Sequence, residues 1–118
     1  MILVVDDDEM NLRMAEFILK QGSYEARKAT SGEEGLALAA QGGVDLILLD
    51  IEMPGMNGIE TAEKLRTAEE TKNIPIIFLT ASPDEASMAA AERLGVLGCV
   101  KKPFLPPELL AKIKEVLA

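Results

Sequence analysis

The chain has 118 residues, enough for one domain with a core that folds without staples. Three phenylalanines, one tyrosine and no tryptophan leave Leu, Ile, Val, Ala and Met to fill that core. Twelve basic against 20 acidic residues give a net charge of −8, which argues against direct nucleic-acid binding. The absence of histidine removes Ser-His-Asp and Cys-His catalysis, the usual zinc sites and any phosphohistidine on this chain.

Met1–Val5 (MILVV) is a continuous apolar run that ends at Asp6-Asp7-Asp8. Glu9–Gln21 reads as a helix with Met14, Ala15, Ile18 and Leu19 on one face, stopped by Gly22. Tyr24–Ala29 is a weaker, more polar strand, which suggests a sheet edge. Ser31-Gly32-Glu33-Glu34 has capping-box spacing and opens a second helix that Gly42-Gly43 ends. Asp45–Asp50 is a strand and Asn57–Ala68 a third helix. Ile74–Thr80 is a strand with Pro75 near its start, where a missing N–H is tolerated. Asp84–Leu94 is an Ala-rich helix and Gly98–Lys101 a short strand. Pro107–Leu117 is the last helix, with Leu109, Leu110, Ile113 and Leu117 on one side.

The order is strand then helix, five times over. Strands that are apolar throughout are buried on both faces, so the pattern predicts an α/β fold: a parallel sheet between two layers of helices. No linker, repeat or low-complexity stretch interrupts it, and residues 1–118 are expected to form one domain. The single cysteine, Cys99, has no intrachain partner; with no signal peptide in view, this points to the cytoplasm. No apolar run approaches the roughly 20 residues of a membrane helix.

Polar groups fall at the ends of these strands. The first ends at Asp6-Asp7, the third at Asp50 and the fourth at Thr80, while the fifth leads into Lys101-Lys102-Pro103. Ligands of open α/β sheets bind beyond the carboxyl ends of the strands, so Asp6, Asp7, Asp50, Thr80 and Lys102 should converge. Three carboxylates held together repel one another unless a cation joins them. With only oxygen ligands available, the fitting ion is hard: Mg²⁺, or Mn²⁺ in its place. A hydroxyl and a lysine aimed at the same spot are phosphate-binding groups, and Asp50 is the candidate nucleophile because carboxylates form aspartyl phosphates. Each group alone has an ordinary reading. An Asp after a strand is commonly a turn or cap residue, a run of acids at a helix start stabilises the macrodipole by roughly 0.3–1 kcal/mol, and surface lysines are common. The joint pattern at four strand ends of one sheet is far more specific.

Four motifs carry a resemblance: VVDDD at 4–8, LLLDIEMPGMNG around Asp50, FLTA at 78–81 and KKPF at 101–104. Their spacing resembles, over nearly the whole chain, that of the receiver domains of two-component response regulators. The resemblance implies a flavodoxin-like (βα)5 fold with strand order 2-1-3-4-5. It implies phosphoryl transfer from the phosphohistidine of a sensor kinase, or of a histidine phosphotransfer protein, to Asp50, followed by autodephosphorylation. It further implies that Asp7 binds Mg²⁺ directly, that Asp6 acts through water or as a nearby acid, and that the backbone carbonyl of Glu52 joins Asp50 as a ligand. Thr80 would hydrogen-bond the phosphoryl group. Lys102, not Lys101, matches the family lysine because it precedes Pro103, and that bond is expected to be cis. Asp8 receives no ligand role. The helix at 84–94, the last strand and the last helix would form the signalling face, toward a downstream protein, a fused output domain or a second copy of the chain.

One departure concerns Cys99, which stands where the family usually has Tyr or Phe three residues before the lysine. The usual coupling of threonine to aromatic is then missing. A switch carried by the loop after Thr80 and the helix at 84–94 is expected instead, with Cys99 as a small apolar filler. Glu52 and Ser82, flanking the site, are expected to tune dephosphorylation. Three other readings stand beside this one. An aspartate-nucleophile phosphatase of the haloacid dehalogenase type would use Glu52 as the acid two residues on, but that family prefers Asp there and carries a cap insertion. A flavin mononucleotide carrier would meet repulsion from Asp6-Asp7-Asp8 at the phosphate. A purely structural module would have no use for the retained Asp6, Asp7, Asp50, Thr80 and Lys102.

Overall fold

An uninterrupted apolar strand has no face for water and needs cover on both sides. In the computed structural model, which describes all 118 residues, strands β1 (Ile2–Val5), β2 (Ala26–Ala29), β3 (Leu46–Asp50), β4 (Ile76–Thr80) and β5 (Cys99–Lys101) form one parallel sheet. Their order is β2-β1-β3-β4-β5, as expected for a flavodoxin-like fold. Helices α1 (Glu9–Gln21), α2 (Gly32–Ala40), α3 (Gly58–Thr67), α4 (Glu85–Arg93) and α5 (Pro106–Leu117) alternate with the strands.

The pleat divides the core into two halves. Ile2, Val4, Leu46, Leu48, Ile77, Leu79 and Val100 pack with Leu12, Ala15, Ile18 and Leu19 of α1 and Leu109 and Ile113 of α5. Leu3, Val5, Ile47, Leu49, Ile76 and Phe78 face the other way, onto residues that include Ala39, Ala62, Leu65 and Ala91 of α2, α3 and α4. β2 is one of the two edge strands, and its Arg27 and Lys28 are exposed.

α1 has the expected bounds and α5 begins one residue early, at Pro106; the other elements are shorter than the sequence pattern suggests, in the helices because capping residues stand outside the helix they serve. Ser31, Asn57 and Asp84 are N-caps, accepting hydrogen bonds from the amides of Glu34, Glu60 and Ser87. The box at Ser31 closes differently from expectation: Glu34 reaches back to the amide of Thr30 at 2.6 Å. The full reciprocal box occurs instead at Asn57 and Glu60, where the sequence reading saw none. On α1, Met14 is exposed and Leu12 takes the buried place, because the buried face follows Leu12, Ala15 and Leu19 rather than starting at Met14. Likewise Leu117 is partly exposed at the end of α5, where only Leu109 and Ile113 are fully covered.

Candidate functional site

The alternation of the pleat decides which strand-end groups meet. β1 and β3 are in register with Val5 opposite Leu49, so Asp6 and Asp50 are the next rung. They share parity with Val4 and Leu48, hence the α1 and α5 side of the sheet. Beyond β5, Lys102 shares the parity of Val100 and lies on that same side. Its amide donates to the Thr80 carbonyl at 2.8 Å, which extends the ladder by one step and fixes where the side chain starts. The Lys102–Pro103 peptide is cis, as the resemblance implies.

The result is a small acidic bowl with one cation. Asp6 and Asp50 are both buried and Asp7 is exposed at the mouth, and one oxygen from each lies within 4.8 Å of the others. Lys102 Nζ donates to Asp50 Oδ1 at 2.7 Å and stands 3.7 Å from Asp6 Oδ2. The amide of Glu52 donates to Asp50 Oδ1 at 3.3 Å, and that of Asp8 to Asp6 Oδ1 at 2.9 Å. Asp8 itself caps α1 by accepting from the Met10 amide, which accounts for the third acid of the run without a ligand role.

Burial is the main force on Asp50. It pushes the carboxyl up from 3.8 to about 7; Lys102 opposes the shift by hydrogen bond and charge, while Asp6 adds to it. For Lys102, burial favours the neutral amine, but the hydrogen bond and charge of Asp50, with the charges of Asp6 and Glu52, outweigh it and raise its pKa. Two buried carboxylate oxygens, Asp6 Oδ2 and Asp50 Oδ2, have no hydrogen-bond partner. An unpaired buried carboxylate oxygen is costly, and an all-oxygen donor set of this kind suits a hard divalent cation. The acidic cluster therefore has the composition and spacing to coordinate such an ion.

Thr80 enters by another route. Its parity follows Ile76 and Phe78, so it departs from the opposite face of the sheet to Asp50. Its hydroxyl is buried and donates to Glu52 Oε2 at 2.7 Å. The Ala81 amide donates to Glu52 Oε1 at 2.9 Å, and the Ser82 amide to Thr80 Oγ1 at 3.1 Å. In the sequence, Glu52 stands out only for its backbone carbonyl and its nearness to Asp50. The engagement of its side chain with Thr80 has no local sequence signature.

Two residues support the site from behind, Gly58 of the motif around Asp50 and Arg66, which carried no sequence signal. Gly58, at the start of α3, backs directly onto the carboxyl end of β3: a Cβ there would lie 2.2 Å from the Asp50 carbonyl oxygen and 2.7 Å from Ile51 Cα. Arg66 of α3 donates to the carbonyls of Leu94 at 2.7 Å and Ile74 at 2.8 Å, tying the loops before β4 and after α4 together. Cys99 is half-buried against the α4-side core, opposite Phe78 in the ladder, and burial pushes its thiol up. That is the environment of a small apolar filler.

Comparison with known proteins agrees with this geometry. The model of the response regulator receiver domain family matches residues 2–114. The transcriptional regulatory protein ResD of Bacillus subtilis is 38% identical over 116 residues, covering 98% of this chain and 47% of ResD. SrrA of Staphylococcus aureus, also a transcriptional regulatory protein, is 37% identical with the same coverage. The chain thus spans about half the length of these relatives. Among solved structures, the chemotaxis protein CheY4 of Vibrio cholerae superimposes with a TM-score of 0.93 at 33% identity, over 98% of this chain and 97% of that one. A CheY-like receiver domain protein from Methanospirillum hungatei gives 0.90 at 34% identity, over 98% and 91%. Sheet order, acidic bowl and family match lead to one conclusion: the chain belongs to the response regulator receiver domain family.

Proposed function

We propose that residues 1–118 form one receiver domain that takes a phosphoryl group from a partner's phosphohistidine onto Asp50. The observation that carries this reading is the buried Asp50 carboxylate, held by Lys102 at 2.7 Å, beside two further acids. Asp50 attacks phosphorus in line; a P–O bond forms, the P–N bond breaks, and the electron pair returns to the imidazole, which takes a proton from solvent. Such transfer needs alignment and charge stabilisation more than a base. Lys102 neutralises phosphoryl oxygens and orients the Asp50 carboxylate. Thr80 donates its hydroxyl to one of those oxygens. Asp6, Asp7, Asp50 and the Glu52 carbonyl would hold Mg²⁺, or Mn²⁺ in its place. When bound, that ion supplies positive charge to the phosphoryl oxygens. Reset is hydrolysis: water attacks phosphorus, and Asp50 leaves with the bonding pair as carboxylate, releasing inorganic phosphate. Catalysis extends to the chain's own phosphorylation and dephosphorylation and no further. The phosphatase alternative is disfavoured because each helix follows its strand directly and no cap insertion interrupts the five strand–helix units.

The partners are a sensor histidine kinase, or a histidine phosphotransfer protein, and a downstream protein or fused output domain. Met10, Met14 and Phe17 leave an exposed apolar stripe on α1, next to the acidic mouth, which supports protein docking there. The signal leaves through the loop at 81–84 and α4, where Ser82 rests on Thr80 and Asp84 caps the helix. The face of α4, β5 and α5 is the output surface, and a second copy of the chain is one occupant that would fit it. No helix is long and apolar enough to cross a membrane, and the net charge of −8 does not favour contact with nucleic acid; we place the protein in the cytoplasm.

Intact mass after incubation with acetyl phosphate tests the proposal. One added phosphoryl group that requires both a divalent cation and Asp50, and is absent from Asp50→Asn, is expected. An adduct that survives Asp50→Asn would refute it.

A further inference from the structure

The Glu52 carboxylate accepts from the Thr80 hydroxyl, read above as a donor to the phosphoryl group, and from the neighbouring Ala81 amide. We infer that Glu52 is a resident occupant of the phosphoryl-oxygen subsite, and that it must swing out before Asp50 is phosphorylated; this rests on the phosphoacceptor reading above. Its two oxygens take the Thr80 hydroxyl at 2.7 Å and the Ala81 amide at 2.9 Å, as two oxygens of a phosphoryl group would. The competition is one for one. A threonine has a single O–H to donate and a backbone amide a single N–H. The Ser82 amide donates to Thr80 Oγ1, so the hydroxyl's own proton is committed to Glu52. Two anions do not share these donors.

The clasp is built to open. Glu52 is exposed, so its carboxylate loses little by returning to water. Its backbone stays fixed while the side chain rotates, because the flanking Ile51 amide bonds the Leu79 carbonyl at 2.9 Å and the Glu52 amide bonds Asp50. The closed clasp also holds Ala81 at the root of the loop leading to α4. Opening it therefore couples phosphorylation to the segment that carries the signal, without an aromatic on β5. Glu52 is a positioning residue here, acting through Thr80 and Ala81.

The charge of Glu52 and its reach are separable. Glu52→Asp keeps the carboxylate but is one methylene too short to span both donors, whereas Glu52→Ala removes both. The probe is beryllofluoride, a tetrahedral stand-in for the phosphoryl group, titrated with Mg²⁺ into the wild type, both variants and Asp50→Asn. A site occupied most of the time by its own side chain loses apparent affinity by the fraction that is open, so both Glu52 variants should bind on the order of tenfold tighter than wild type. Glu52→Asp binding no tighter than wild type would overturn the inference and leave charge repulsion as the explanation for any gain in Glu52→Ala. Absence of binding to the wild type, or equal binding by Asp50→Asn, would instead reject the phosphoacceptor reading. The Ala81 amide resonance gives a second readout that needs no phosphoryl group. It should move upfield and exchange faster with solvent in Glu52→Asp, and an unchanged Ala81 signal would show that no clasp exists.

Discussion

Burial of Asp50 should make the resting protein less stable as pH rises from about 4 to about 7 when divalent cations are removed. The folded carboxyl is pushed up to about 7 against 3.8 for the free group, mainly by burial. Between those values the folded chain holds a proton that the unfolded chain releases. This contribution is therefore fully present only below pH 3.8, falls as pH rises through the window, and levels off above about 7. Roughly three pKa units correspond to a loss of about 4 kcal/mol. Asparagine is a neutral stand-in for the protonated acid and still offers Lys102 an oxygen. Asp50→Asn should thus match the wild type below pH 3.8 and exceed it by as much as about 4 kcal/mol near pH 8. Urea unfolding in the presence of a chelator, at a series of pH values, measures the gap. A difference between the two proteins that does not change with pH would refute the reasoning, because it would mean that Asp50 is not held protonated by the fold.

Mg²⁺ should raise the urea midpoint, by about 2.7 kcal/mol at one hundred times its dissociation constant, with the affinity falling as pH drops below about 7 because binding must expel the Asp50 proton. Isothermal titration in two buffers of different ionisation heat checks that proton release, and Asp7→Asn should weaken the affinity. Gly58→Ala drives a Cβ into the Asp50 carbonyl and Ile51 Cα, backbone atoms that cannot yield without moving the phosphoacceptor. A loss of roughly 1–3 kcal/mol in urea and slower phosphorylation by acetyl phosphate are expected together. Asn57→Ala removes one half of the capping box on α3 and should cost about 1 kcal/mol, with faster amide exchange confined to the first turn of that helix.

The parts of the site that follow from pleat parity were legible in the sequence. Counting by twos from Val4, Leu48 and Val100 puts Asp6, Asp50 and Lys102 on one side of the sheet, and the structure brings those three together. The strand order came with the motif resemblance, since apolar runs show that strands are buried but not which ones are neighbours. Thr80 follows the other parity, and its hydroxyl meets the Glu52 side chain rather than the Asp50 carboxylate. That contact spans 28 residues of sequence through one rotamer, and no local periodicity encodes it. The buried face of α1 was misplaced by including Met14 because an aliphatic residue one position off the stripe looks the same in a list of apolar residues. Gly58 was legible as the last residue of the motif around Asp50, but its reason was not, because it is needed for space against a backbone that only the folded chain brings near.

The claim that Asp50 is the phosphoacceptor is most directly tested by locating the modification. Acyl phosphates are reduced by borohydride, which converts a phosphorylated aspartate to homoserine and leaves free carboxylates untouched. Peptide mass spectrometry after treatment with acetyl phosphate, Mg²⁺ and borohydride should find homoserine at position 50 and at no other acid, including Asp6 and Asp7. Homoserine at a different position, with Asp50 intact, would contradict the account.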